Sequence, residues 1–209
     1  MVDYMFLVTH HETSGKLRIA PDLLGLGLVA AALAELVSVS AVYLDPETSQ
    51  VIRYQRQPVS VPAAQYVLDQ VIRGEPDTSH AADWILGLRD DLYAGVAHGL
   101  DADGLVRPER SALGRMKYVP IRPELIEQPQ SWVFGLLRSP QRWIDFQLNQ
   151  LVIACLCGAM GIAGTVTAMP AEEAETGFSQ LLRSVDPQLS ALVKATSQAK
   201  GRLAMTVRR

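Results

Sequence analysis

The residues best suited to chemistry begin with Gly25-Leu26-Gly27-Leu28-Val29-Ala30, a Gly-x-Gly-x-x-Ala run followed twenty residues on by Asp45. That spacing mimics a dinucleotide fingerprint, in which glycines let the backbone approach a pyrophosphate and the acid takes a ribose hydroxyl. The chemistry requires a strand running into the first glycine, yet Pro21-Asp22 stands where that strand would be. Proline lacks the ladder donor and disfavours a central strand, so a helix capped by Asp22 is the competing reading. The two glycines then serve close packing, and Asp45 becomes a turn residue.

Other constellations carry less. His10-His11-Glu12 lie too close together in one turn to converge on an ion, and His80 and His98 have no ligand-spaced neighbours, so solvated loop histidines and no metal are expected. Asp90-Asp91 and Asp101-x-Asp103 read as a helix cap and a turn. No Ser-His-Asp or Cys-His arrangement has local context, so no catalytic residue and no cofactor is expected. Cys155 and Cys157, two apart in an apolar run, face different sides of a helix and are expected as buried, reduced thiols of a cytoplasmic protein. Arg138-Ser139-Pro140-Gln141-Arg142-Trp143 is richer. Two arginines about a helix break, with Trp132 and Trp143, can hold an anionic head group beside an apolar surface. On the residues alone, a solvated helix end with buried indoles is the preferred reading of the same segment.

These residues need elements to position them. Met5 to Val8 is a short apolar element. The first long helix is expected from Leu23 to about Val37, followed by a hairpin of Val39 to Leu44 with Val51 to Tyr54 around an Asp45-Pro46 turn. Further helices are expected over Ala63 to Arg73 (broken by Gly74-Glu75-Pro76-Asp77), Ala81 to Leu88 and Leu92 to Leu100. A second hairpin pairs Leu105-Val106-Arg107 with Arg115 to Ile121. Pro123 and Pro129 mark a loop. Helical segments follow over Trp132 to Leu137 and Trp143 to Ile162, then a loop over Thr165 to Ala174, then helices over Phe178 to Arg183 and Pro187 to Lys200. Gly158, Gly161 and Gly164, beside small alanines, suit close helix packing. The expected fold is mainly α: one helical domain over residues 1–209, with a central bundle and two small hairpins.

The bulk numbers agree. A chain of 209 residues, 48% hydrophobic and 20% charged, has the composition of an ordinary globular domain. A net charge of −3 argues against a nucleic-acid partner. Leu23 to Val42 contains one charged residue, Glu35, near its middle, and the β-branched Val37, Val39 and the Asp45-Pro46 turn favour a buried helix over a membrane span. The first residues lack the features of a secretory leader.

Taken in order, several pieces resemble a bacterial member of the Golgi phosphoprotein 3 (GPP34) family. They are Gly15, Asp22, Gly27-Leu28, Leu33-Ala34-Glu35-Leu36, Leu68-Asp69, Asp83-Trp84-Ile85, Asp103-Gly104-Leu105-Val106 with its hairpin, Ser139-Pro140-x-Arg142, the small-residue helix and Asp186-Pro187. The resemblance spans about Met5 to Ala195; the ordered set is specific where no single motif is. It implies a non-catalytic, peripheral membrane or adaptor protein that binds phosphatidylinositol 4-phosphate or another anionic phospholipid head group. Arg142, helped by Arg138, would take the head group, and a membrane-contact loop near Ala163 to Gly177 would present Val166 and Met169. Two further lipid-reading positions of the family fall on Ala20 and Val29, which cannot bind phosphate. The resemblance thus also admits a cytoplasmic scaffold working through a protein partner or a homo-oligomer, and otherwise a place on the inner face of the membrane.

Overall fold

The structure is a computed structural model describing residues 1–53, 58–74, 80–110, 114 and 116–206. Of the expected elements, Tyr54, the Glu75 to Asp77 break and Arg115 lie outside the described residues. In chain order the elements are α1 (Val2–Val8), α2 (Pro21–Ser38), β1 (Val42–Leu44), β2 (Val51–Arg53), α3 (Pro62–Arg73), α4 (Ala81–Gly87), α5 (Leu92–Ala102), β3 (Val106–Arg110), β4 (Met116–Pro120), α6 (Glu124–Arg138), a 3₁₀ turn (Pro140–Asp145), α7 (Leu148–Ala159), α8 (Ala163–Thr167), α9 (Ala171–Leu181) and α10 (Pro187–Thr206). The protein is mainly helical, and its two sheets are the expected antiparallel hairpins, with Val42 opposite Arg53 and Val106 opposite Pro120.

Helix α2 organises the interior because it is apolar on every side, which requires neighbours all round. It packs against α1, α3, α4, α5, α7 and α10. By length and composition it could cross a membrane, but 67% of it is buried inside the protein. Pro21 occupies its first turn, where the missing N–H costs nothing. The residue at the N-cap is Ala20, not Asp22 as expected; Asp22 sits two positions further on, in the first turn, where its carboxylate meets the positive end of the helix dipole. The lone internal charge, Glu35, accepts a 2.9 Å ion-paired hydrogen bond from the Met1 ammonium.

The fingerprint glycines have a purely steric explanation. A Cβ on Gly25 would lie 2.1 Å from the carbonyl oxygen of Arg89, and one on Gly27 would lie 2.9 Å from Met5 and Met160. Asp45 turns the first hairpin: its Oδ1 accepts from the amides of Glu47 and Thr48, holding its carboxyl below the usual carboxylate range. Small residues serve the same purpose between α7 and α9, where a Cβ on Gly158 would fall 2.2 Å from the Phe178 ring. Cys155 and Cys157 are free thiols buried in α7, and burial pushes Cys155 up to about 12 and Cys157 higher still.

Three expected boundaries are corrected. Pro129 lies inside α6 rather than in a loop, because Ile126, Pro129, Val133, Leu136 and Leu137 form one buried stripe. Burial of such side chains, roughly 1.5–3 kcal/mol each, outweighs the roughly 3 kcal/mol cost of an internal proline. The expected Trp143 to Ile162 helix is divided, since Phe146 and Gln147 are extended and α7 begins afresh. Thr165 to Ala174 is not one loop but the end of α8 and the start of α9 joined through Ala168 to Pro170: Glu172 and Glu173 stand in the first turn of α9, again at a helix N-terminus that favours carboxylates.

Candidate functional site

The junction between α6 and α7 is built by one proline. The residue before a proline is driven out of helical geometry, so α6 ends at Arg138, with Ser139 at φ −136° and ψ 65°. Pro140, buried, starts the 3₁₀ turn, which ends at the extended Phe146. Gln147 and Gln150 then open α7 with a reciprocal capping box. This sequence of stops leaves Arg138 and Arg142 on the surface at either end of a tight turn. The Arg138 guanidinium stacks 5.5 Å from the Phe134 ring centroid. Arg142 is 70% exposed, and its Nε donates to Asp145 Oδ2 at 2.9 Å.

The structure does not gather both arginines in one pocket. Arg138 borders a shallow hollow of about 290 Å³ with Pro140, Glu172, Glu173, Thr176 and Gln180, and Arg142 is not part of its lining. The acids that sequence reading assigned to a loop thus stand on α9 beside Arg138. Neither forms an ion pair with it among the described residues.

Val166 and Met169 are not the apolar tips of an exposed loop. They are 2% and 5% exposed and belong to the core. Thr167 folds the segment inward: its hydroxyl donates to the Ala163 carbonyl and accepts from the Met169 amide, and Ala168 takes a left-handed turn at φ 57°. Val29 is fully buried in α2, while Ala20 is exposed ahead of it. Trp132 packs edge-on against Tyr4 at 4.9 Å, and Trp143 is half-buried against the core.

Sequence reasoning missed Ile144 and Leu148. Ile144 is 76% exposed, the largest exposure of any large apolar side chain among the described residues, and Leu148 is 48% exposed. Trp143-Ile144-Asp145-Phe146 reads as the continuation of an apolar helix. In the actual 3₁₀ turn, with three residues per turn, Trp143 and Phe146 point inward together and Ile144 is turned outward. The pre-proline stop was visible in sequence; the rotation it imposes on Ile144 was not.

The histidines need one correction. His10 is buried, not solvated: its ring stacks on Phe6 at 4.1 Å and Nδ1–H donates to the Phe6 carbonyl at 2.6 Å, since a carbonyl can only accept. Its Nε2 has no partner among the described residues. Burial pushes its pKa down to about 4, against the opposing pull of the Phe6 hydrogen bond. Among the described residues no three His, Cys, Asp or Glu side chains converge as metal ligands.

The order of elements, the α2 glycines and the Ser139-Pro140 junction can be set beside known proteins. No curated protein matches the chain. The family model for Golgi phosphoprotein 3 (GPP34) matches residues 1–199, nearly its whole length. The chain therefore belongs to the Golgi phosphoprotein 3 (GPP34) family.

Proposed function

We propose that this protein is a non-catalytic, peripheral membrane protein that docks on anionic phospholipid head groups through the α6–α7 junction. The observation that carries this reading is the juxtaposition of an exposed cation and an exposed aliphatic chain two residues apart: Arg142 and Ile144. Arg142 takes a head-group phosphate, Arg138 assists, and Ile144 and Leu148 enter the apolar boundary. Asp145 does not lock Arg142, because an exposed ion pair contributes about 0–1 kcal/mol, less than the roughly 1.5–3 kcal/mol of a hydrogen bond to a charged group. Burial of Ile144 adds a further 1.5–3 kcal/mol, roughly. Such a sum gives reversible association that depends on membrane charge, consistent with a cytoplasmic protein visiting the inner face of the membrane. Phosphatidylinositol 4-phosphate is the finer form of the reading; Val29 in the core and Glu172 and Glu173 beside Arg138 favour a less specific anionic lipid.

Co-sedimentation with vesicles of phosphatidylcholine alone, with added phosphatidylglycerol, or with added phosphatidylinositol 4-phosphate tests it. Binding should require an anionic lipid and fall about tenfold in Arg142→Ala and in Ile144→Ser, each a loss of one contact. Binding equal on all three vesicles, or unchanged in both variants, overturns the site. The alternative reading, a cytoplasmic scaffold, is favoured by the same two carboxylates at Arg138. A stoichiometric protein partner captured without membrane, together with a negative vesicle result, would select it.

A further inference from the structure

A second concave site lies on a different group of helices. A cavity of about 720 Å³ opens between the end of α7, α8, α9 and α10, within the size range of small-molecule sites. Its lining includes two charged side chains, Lys200 and Glu175, with the hydroxyls of Thr165, Ser179 and Ser197 and the ring of Phe178.

Lys200 is the telling residue. Four basic side chains among the described residues are half-buried: Arg18, Arg89, Lys117 and Lys200. Arg18 pairs with Glu12, Arg89 with Asp90 and Lys117 with Glu109, as expected for cations partly withdrawn from water. Lys200 has neither an ion pair nor a hydrogen bond among the described residues, and Glu175 of the same cavity stands too far off to pair with it. A lysine near a helix C-terminus often serves the free carbonyls there. At the end of α7 that work is already done. The Leu156 carbonyl accepts from the Met160 amide, Cys157 from Ile162, Gly158 from Gly161, and Ala159 from the Ser197 hydroxyl. The 5→2 and 6→1 bonds of this ending need a left-handed residue, supplied by Gly161 at φ +67°. The same glycine makes room for the ammonium: a Cβ there would lie 2.6 Å from Lys200 Nζ.

We propose that this cavity binds the oxyanion of a small molecule, a phosphate or a carboxylate, on Lys200. A single unpaired ammonium suits one such group, with Thr165 and Ser179 in the same lining, and the Glu175 carboxylate there works against polyanions. The site is separate from the α6–α7 junction and does not depend on lipid binding there.

Amide-resolved NMR titration of the full chain with inorganic phosphate, sodium acetate and sn-glycerol 3-phosphate tests the proposal. At least one probe should give saturable shifts at the end of α7 and in α10. Lys200→Gln should weaken that binding about tenfold or more, the loss of one charged hydrogen bond. Gly201 also lines the cavity, and a Cβ there meets nothing within 4 Å, so Gly201→Leu should fill the cavity without disturbing the fold and also weaken binding. Arg142→Ala should leave it unchanged. Comparison of glycerol phosphate with inorganic phosphate shows whether the organic body contributes. The absence of saturable shifts with all three probes overturns the proposal. So do shifts that persist in Lys200→Gln, or that disappear in Arg142→Ala; vesicle binding lost while these shifts remain would overturn only the junction.

Discussion

Helices α2 and α5 pack against each other, and each carries two closely spaced glycines, yet the glycines do opposite things. In α2, Gly25 stands against the Arg89 backbone, where no side chain fits, and Gly27 is a close contact with the ends of the Met5 and Met160 side chains. In α5, Gly95 and Gly99 are exposed, and a Cβ at either meets nothing within 4 Å. A glycine's meaning is therefore set by what stands opposite it. Helix α1 touches both neighbours: Phe6 meets the Tyr93 ring of α5 at 5.4 Å, tilted by 32°, and Met5 meets Gly27 of α2, while His10, just beyond α1, stacks toward Tyr93 at 6.5 Å.

The largest effect on this arrangement is expected from acid. His10 is held neutral in the fold, with a pKa of about 4 against an ordinary 6.5. The folded state thus binds fewer protons than the unfolded chain, so the stabilisation is complete above pH 6.5 and is lost as pH falls from there toward 4. The full loss is about 3 kcal/mol. Chemical denaturation at stepped pH should show this loss in the wild type, while His10→Phe, which keeps a ring on Phe6, should lack it. Parallel pH profiles of the two proteins would place the acid sensitivity elsewhere.

A somewhat smaller effect is expected at α2. Gly25→Ala drives a methyl into the Arg89 backbone, which cannot swing aside as a side chain would, and overpacking of this kind costs about 1–3 kcal/mol. A lowered denaturation midpoint checks it; an unchanged midpoint would mean that α2 and the Arg89 turn separate easily. The smallest effect has the opposite sign. Gly99→Ala in α5 should stabilise by about 0.8–1 kcal/mol, the ordinary helix-propensity difference. A destabilised Gly99→Ala would show that the exposed face of α5 is covered in solution, and would erase the contrast between the helices.

Legibility in sequence followed the same division. Pro21, the β-branched residues after α2 and the Asp45 turn were enough to set a helix and hairpin against a dinucleotide site, because each acts through its own backbone or its nearest neighbours. Pro140 likewise announced the break beside Arg142. Pro129 misled, since its local penalty is outweighed by a buried stripe extending over three turns of α6. Val166 and Met169 misled for the converse reason: apolar residues just ahead of a proline and glutamates look like loop tips until the partner surface that buries them is known. Lys200 gave no signal, because its lack of a partner is a property of four helices meeting.

The sequence by itself determined the mainly helical class, the two hairpins, the family and the positions where proline and aspartate stop or turn the chain. These are consequences of backbone chemistry and apolar periodicity, which act over a few residues. Only the tertiary structure decided which glycines are needed as contacts, that Ile144 rather than Val166 or Met169 faces water, that Arg138 and Arg142 do not share a pocket, and that Lys200 overlooks a cavity. Those outcomes depend on close packing between residues far apart in the chain, where a displacement of one methyl group separates contact from open space.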